Sequence, residues 1–319
     1  MGSKLVENSK NVLRSSLALK KEETLLIVTD DSKKELAEAL YAAGRLIGAE
    51  TLMLVMQDRE KSGEEPPSGV AEAMKHCDVA VCITEHSLTH TMAKKDAAAA
   101  GVRVATMPGI TYDMFLEGAI SADYDTVEKL TYNVSEKLDQ AQKVTISKDG
   151  ETLTFSIQGR NGVASTGVYR ENGQSGNLPS GEAYIAPFEG TASGRIWIDG
   201  SISGLGKAEE PVLLTIEEGR LTEASGRQGE RLLHMLGEGE GRNVAEFGVG
   251  TNDKARITGN VLEDEKVYGT IHIAFGSNNT FGGTIAAGVH IDCVVKAPTV
   301  HLDEAILLEE GNMVKLGHN

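Results

Sequence analysis

The chain has 319 residues, 40% of them hydrophobic, enough to bury a large core and, by length, to form two domains. Its 47 acidic against 31 basic side chains leave a net charge of −16, which argues against nucleic acid or an anionic membrane as partner and suits metal ions and cationic ligands. No apolar run approaches the roughly 20 residues that cross a bilayer, Met1-Gly2-Ser3-Lys4-Leu5 opens into polar sequence rather than a signal peptide, and Cys77, Cys82 and Cys293 form neither a disulfide framework nor a cysteine zinc motif, so a cytoplasmic protein is expected.

Residues 8–19 have amphipathic helical spacing, and from residue 23 apolar runs alternate with helical periods. Strands are predicted over 24–29, 51–56, 78–84 and 102–107, and helices over 32–47, 68–76 and 89–100, with Ser32 as the N-cap of the first. Continuous runs such as Leu25-Leu26-Ile27-Val28 suit strands buried on both faces, and the alternation predicts an α/β domain with a doubly wound parallel sheet. Residues 58–69, charged and Pro-containing, read as a surface loop. Ligands of such sheets gather beyond the carboxyl ends of the strands, here Asp30-Asp31, Gln57, Glu85-His86 and Pro108-Gly109. No Gly-x-Gly-x-x-Gly and no Walker-type lysine loop follows a strand, so a nucleotide is not expected. His86 and His90 have the spacing of a helical metal pair but straddle a predicted helix start, and read as solvated or structural residues.

A polar helix is predicted over 122–143, and composition changes after it. Residues 144–157 alternate as a hairpin turning at Lys148-Asp149-Gly150, short strands with Gly-rich turns follow, and one helix interrupts them over 228–236. The expected organisation is a doubly wound α/β domain over 1–143 and a mainly β (α+β) domain over 144–319.

Most of the chemistry lies in residues 267–295, VYGTIHIAFGSNNTFGGTIAAGVHIDCVV. Alternation predicts strands over 267–275 and 289–295, joined by a Gly/Asn/Ser-rich connection. Two-residue spacing puts His290 and Asp292 on one face, and an antiparallel neighbour would bring His272 within about 5 Å of them. Two imidazoles and a carboxylate on a rigid sheet suit Zn, Co, Mn or Fe, the alternative being that each histidine is a satisfied polar residue on a half-exposed strand. Glu182, in GNLPSGEAYIAP, and Glu246, in NVAEFGVG, sit among small or apolar residues, where an unpaired carboxylate is costly and calls for solvent or a cation.

Residues 177–187, 245–250, 272–276 and 290–292, in that order after a doubly wound domain, resemble the thermophilic-type metallo-aminopeptidases of the aminopeptidase T and S kind, which are leucyl aminopeptidase-like. The resemblance implies two divalent ions (Zn, Co or Mn) held by Glu182, Glu246, His272, His290 and Asp292 in a homodimeric hydrolase that removes N-terminal residues from peptides. The metals would polarise the scissile carbonyl and activate a bridging water, with Glu182 as general base where it is not a ligand. The family's tyrosine seven residues after the first histidine is Asn279 here, the candidate oxyanion donor, and its amide cannot supply anionic charge, so weak or absent peptidase activity is expected. The chain is also similar to a related branch, the dihydroxypyridine ring-cleaving dioxygenases, which implies a single Fe(II) on His272, His290 and Asp292. Because Glu182 and Glu246 supply the extra carboxylates that a two-metal centre needs, the hydrolase is the expected function. The dioxygenase, and a metal-binding homologue that holds a peptide or small molecule without turning it over, are the alternatives.

Overall fold

The computed structural model describes residues 3–314; residues 1–2 and 315–319, which fall at the outer ends of the two expected domains, lie outside the described residues. The chain divides into two compact units, Met1–Glu128 with Gly167–Ser180, and Lys129–Thr166 with Gly181–Asn319. Among the described residues no helix is long and apolar enough to cross a membrane.

The first unit is built on a parallel sheet in the order Glu50–Met56, Thr24–Asp30, Val79–Ile83, Arg103–Thr106, Ser175–Asn177. Every residue of Val79–Ile83 is buried, as an unbroken apolar run in a parallel sheet requires, and so is every residue of Arg103–Thr106, where Arg103 donates to the carbonyl of Leu17 and pairs with Glu23 at 2.7 Å. The helix Lys34–Ile47 turns Leu36, Ala37, Ala39, Leu40, Ala43 and Gly44 inward and stops at Gly48, whose φ of 98° lets its N–H return to the carbonyls of Gly44 and Arg45. Ser32 does not cap this helix. Lys33 holds the cap position, while the Ser32 hydroxyl donates to Asp58 at 2.6 Å. The first predicted helix also differs: Ser3–Asn11 is α-helical, and Val12–Ser16 continues as a wider π-turn. The fifth strand, Ser175-Gly176-Asn177, has no apolar residue to announce it; it is recruited through its backbone and through Asn177 Oδ1, which accepts the hydroxyls of Thr89 and Thr106.

The second unit contains two antiparallel sheets whose apolar faces share one core. Its first hairpin, Lys143–Lys148 with Glu151–Ser156, turns where expected, with positive φ at Asp149 (49°) and Gly150 (85°) as a two-residue hairpin turn demands. Of the eight-stranded sheet, Val144, Ile146, Leu153, Phe155, Ile196 and Leu214 enter the core. The seven-stranded sheet sends in Ile185, Phe247, Val249, Ile271, Ile273, Phe275, Ile291 and Cys293, and Phe247 meets Phe155 at 5.6 Å between ring centroids. Side chains alternate across a strand, so the residues between these point to the opposite face of the same sheet.

Gly194 tests the join between the hairpin and the next strand. Its φ is 127°, and a Cβ there would lie 2.1 Å from the carbonyl oxygen of Thr152. Strain and collision together predict that Gly194→Ala lowers stability by about 2–3 kcal/mol; urea unfolding with an unchanged midpoint would refute this.

Candidate metal centre

The seven-stranded sheet runs Gly206–Lys207, Ser201–Ile202, His290–Val295, Ile271–Gly276, Val244–Gly250, Glu182–Ile185, Val163–Ser165. Ile271–Gly276 and His290–Val295 are antiparallel neighbours, with Ala274 paired to Asp292 and Gly276 to His290. On the other side Ala274 pairs with Glu246 and His272 with Gly248, and one strand further Gly250 pairs with Glu182. Each of the five predicted ligands therefore stands beside a glycine or alanine on an adjoining strand. The missing side chains are the room for the site: a Cβ at Gly248 would fall 2.0 Å from Cε1 of His272, so that ring lies directly over the glycine.

Glu182, Glu246, His272 and Asp292 are buried, and the His290 side chain keeps 32% of its surface exposed. His272 Nε2 lies 2.9 Å from Glu246 Oε1 and 3.8 Å from Glu182 Oε2; His290 Nε2 lies 3.5 Å from Glu246 Oε2 and 3.4 Å from Asp292 Oδ1. His290 Nδ1 donates to the carbonyl of Ser277 at 2.8 Å, which turns Nε2 toward the carboxylates as a ligand atom. Donor atoms of Glu246, His290 and Asp292 lie within 4.8 Å of one another, and so do those of Glu182, Glu265 and His272.

Glu265 and Lys266 were not foreseen from the sequence. They follow the short helix Val261–Asp264, and the segment lies flat on the strand because a Cβ at Gly250 would collide with Val267 O at 2.1 Å. Lys266, 1% exposed, places Nζ 2.9 Å from Glu182 Oε1 and also pairs with Glu265. The only sequence signal was a lysine in the acidic run Glu263-Asp264-Glu265, which reads as a solvated turn.

Asn279, in contrast, is exposed, and its backbone N–H bonds to Ile285 O. The buried neighbour is Asn278, which donates to Glu189 at 3.1 Å and accepts from Ile285 N at 2.8 Å, holding the loop between the two histidine strands. His86 and His90 belong to the first unit, Thr91 capping the helix Met92–Ala99 that follows them.

The electrostatics are dominated by four carboxylates against one ammonium. Burial alone would lower the His272 pKa, but the hydrogen bond to Glu246 and the charges of Glu182, Glu246 and Glu265 push it up to about 9. Burial likewise opposes protonation of His290, and its bond to Asp292 with the charges of Asp292 and Glu246 overrides this, to about 10. For Asp292 burial acts upward, and the His290 bond and charge carry it down to about 2. Burial raises Glu246, only partly offset by His272 and His290. Burial also works against the Lys266 charge, yet Glu182 and Glu265 hold the ammonium well above the usual lysine range.

A divalent cation fits this donor set. Glu182 Oε2 and His272 Nδ1 are buried polar atoms without a hydrogen-bond partner, and the Nε2 atoms of both histidines face carboxylate oxygens across gaps that a positive charge would bridge.

Two solved structures share the fold. The 2,5-dihydroxypyridine dioxygenase of Pseudomonas putida KT2440 superposes with a TM-score of 0.81 at 18% identity, over 98% of this chain and 97% of that one. Wild-type AmpT of Thermus thermophilus superposes with a TM-score of 0.71 at 16% identity, over 98% and 99%. No curated protein sequence matches the chain. At these identities the structures establish a mixed α/β fold with a parallel sheet and large antiparallel sheets, and no activity. The family match is decisive and overturns the expected aminopeptidase, and with it the hydrolase and protease functions. The extra carboxylates had favoured the hydrolase, but half of that argument lapses once Glu182 is seen paired with Lys266. Residues 4–315 match throughout, and the chain belongs to the NicX family, 2,5-dihydroxypyridine 5,6-dioxygenase.

Proposed function

We propose that this protein is a mononuclear Fe(II) dioxygenase that opens the ring of a dihydroxylated pyridine or a closely similar hydroxylated aromatic. The observation that carries the reading, beside the family match, is that His272, His290 and Asp292 project from two adjacent antiparallel strands onto one face, two imidazoles and a carboxylate. These three would hold the iron and leave coordination positions open. Bound Fe(II) supplies the one-electron chemistry that allows dioxygen to react with a closed-shell ring.

The remaining groups serve the substrate. Glu246 spans the two histidines, 2.9 Å from His272 and 3.5 Å from His290, so its carboxylate orients both rings and is placed to take the proton of a ring hydroxyl. The Phe281 ring stands edge-on to both neighbours, its centroid 5.4 Å from that of Tyr184 and 6.0 Å from that of His290. Phe281 also lines a cavity of about 500 Å³ with Arg160, Phe188 and Glu189, ample for a one-ring substrate. Arg160 lies 5.1 Å from the Phe188 ring centre and pairs with Glu189, so two aromatic rings and an internally neutralised ion pair line the space a planar ring would enter.

The direct test is anaerobic loading of the metal-stripped protein with Fe(II), followed by 2,5-dihydroxypyridine and dioxygen. Stoichiometric oxygen uptake with loss of the ring absorbance is expected, and no uptake across a panel of dihydroxypyridines and dihydroxybenzenes would refute the reading. His290→Ala and Asp292→Ala should each retain less than about a tenth of the bound iron, as ligand loss leaves an open position and uncompensated charge; wild-type metal content in both would remove these residues from the centre. Phe281→Ala should raise KM about tenfold with kcat little changed, the worth of one aromatic contact, and an unaltered KM would place the substrate elsewhere. In the metal-stripped protein His272 and His290 keep protons up to about 9 and 10, so metal uptake at pH 7 must displace them. Affinity should accordingly rise with pH from 6 to 8, with proton release seen as a buffer-dependent enthalpy in calorimetry; affinity that falls over this range contradicts histidine ligation.

A further inference from the structure

We propose that the Lys266 ammonium occupies the second cation position of the centre and thereby restricts it to one metal. The inference rests on the iron reading above and adds to it the feature that sets the metal count.

The face carries two groups of donors, Glu246, His290 and Asp292 at one end, and Glu182, Glu265 and His272 at the other. By residue type alone both groups suit a divalent ion, and two such groups on one face are what a dinuclear centre requires. They differ in what already neutralises them. The second group contains the Lys266 Nζ, 2.9 Å from Glu182 and bonded also to Glu265, whereas the first has His290 as its basic group; His272 Nε2 stands between the two, 2.9 Å from Glu246 and 3.8 Å from Glu182.

A metal cannot displace this ammonium cheaply. Lys266 is 1% exposed, so a displaced ammonium would remain buried without its partners, and a charge stranded in that way is far more costly than one left in water. The backbone gives it little freedom to withdraw: Lys266 N–H donates to Glu263 O at 3.0 Å, its carbonyl accepts from Asn252 N at 2.9 Å, and the segment rests on Gly250. The ammonium is also a single charge with three donors and no open coordination position, so it satisfies Glu182 and Glu265 without offering a place to bind water or substrate. By engaging both carboxylates it keeps them from completing the coordination sphere of the metal at His290 and Asp292, and the open positions needed by substrate and dioxygen remain open.

The experiment is metal titration of the full-length chain, stripped and reloaded with Mn(II), read by elemental analysis and by electron paramagnetic resonance. Wild type should bind one equivalent and give an isolated-ion signal. Lys266→Met, which keeps the volume and removes the charge, should bind two equivalents and show the exchange-coupled signal of neighbouring ions, while Lys266→Arg, which keeps the charge, should return to one. Two equivalents in the wild type overturn the proposal whether or not the variants fold, and one equivalent there supports it. One equivalent in both wild type and a folded Lys266→Met, its fold checked by circular dichroism, overturns the role of Lys266 and leaves the iron reading standing. A wild type that binds neither Mn(II) nor Fe(II) overturns both.

Discussion

Four carboxylates, Glu182, Glu246, Glu265 and Asp292, crowd one face of an antiparallel sheet, and the need to neutralise them governs the rest of the site. Two unit charges 4 Å apart repel by about 4 kcal/mol at the effective dielectric typical of partly buried groups. A protein with a stability of order 10 kcal/mol does not sustain several such pairs uncompensated. The protein answers in two ways on two ends of the same face. At one end it supplies its own cation, Lys266; at the other it supplies the imidazole of His290, which the charges of Asp292 and Glu246 favour in its protonated form. The upward shift of both histidines and the downward shift of Asp292 are expressions of this one imbalance.

The sheet makes the crowding feasible through omission. Ala274, Gly248, Gly250 and Gly276 stand across from the carboxylates and imidazoles, so large ligand side chains alternate with absent ones over neighbouring strands. The opposite face of the same strands is uniformly apolar, with Ile271, Ile273 and Phe275 between the site residues of one strand and Ile291 and Cys293 between those of the next. A slip of one residue in register would exchange the two faces, carrying charge into the core and isoleucines into the metal site. Register and site chemistry are thus a single constraint: the core fixes which face the donors occupy, and hydrogen bonds such as His290 Nδ1 to Ser277 O then set the rings.

This explains what could be read in advance. The period-two pattern around His272, His290 and Asp292 gives their strands and puts His290 and Asp292 on one face, whereas the antiparallel neighbour that brings His272 beside them is a condition the pattern does not supply, and the first strand begins at Ile271 rather than residue 267. The parallel sheet is legible for a different reason, unbroken apolar runs such as Val79–Ile83 that are buried on both faces, and Ser175–Asn177 is not, since a strand held by its backbone and by Asn177 has no hydrophobic signature. Lys266 was invisible because its partners are distant or adjacent in ways that periodicity does not report: Glu182 is brought from another strand, and Glu265 is a sequence neighbour that a helix or strand template would point elsewhere. The choice between hydrolase and dioxygenase went wrong at that point, where carboxylates were counted and the cation among them was not.

The comparison of folds points the same way. The Pseudomonas putida dioxygenase and AmpT both superpose along essentially the whole of this chain, at TM-scores of 0.81 and 0.71, so the arrangement of strands by itself does not select a reaction. Under the proposal made for Lys266, the charge placed among the donors sets how many metal ions the face takes. That lysine comes from a turn, outside the strands that carry the donors. On that proposal the metal count is set at residue 266 rather than in the residues proposed to hold the metal.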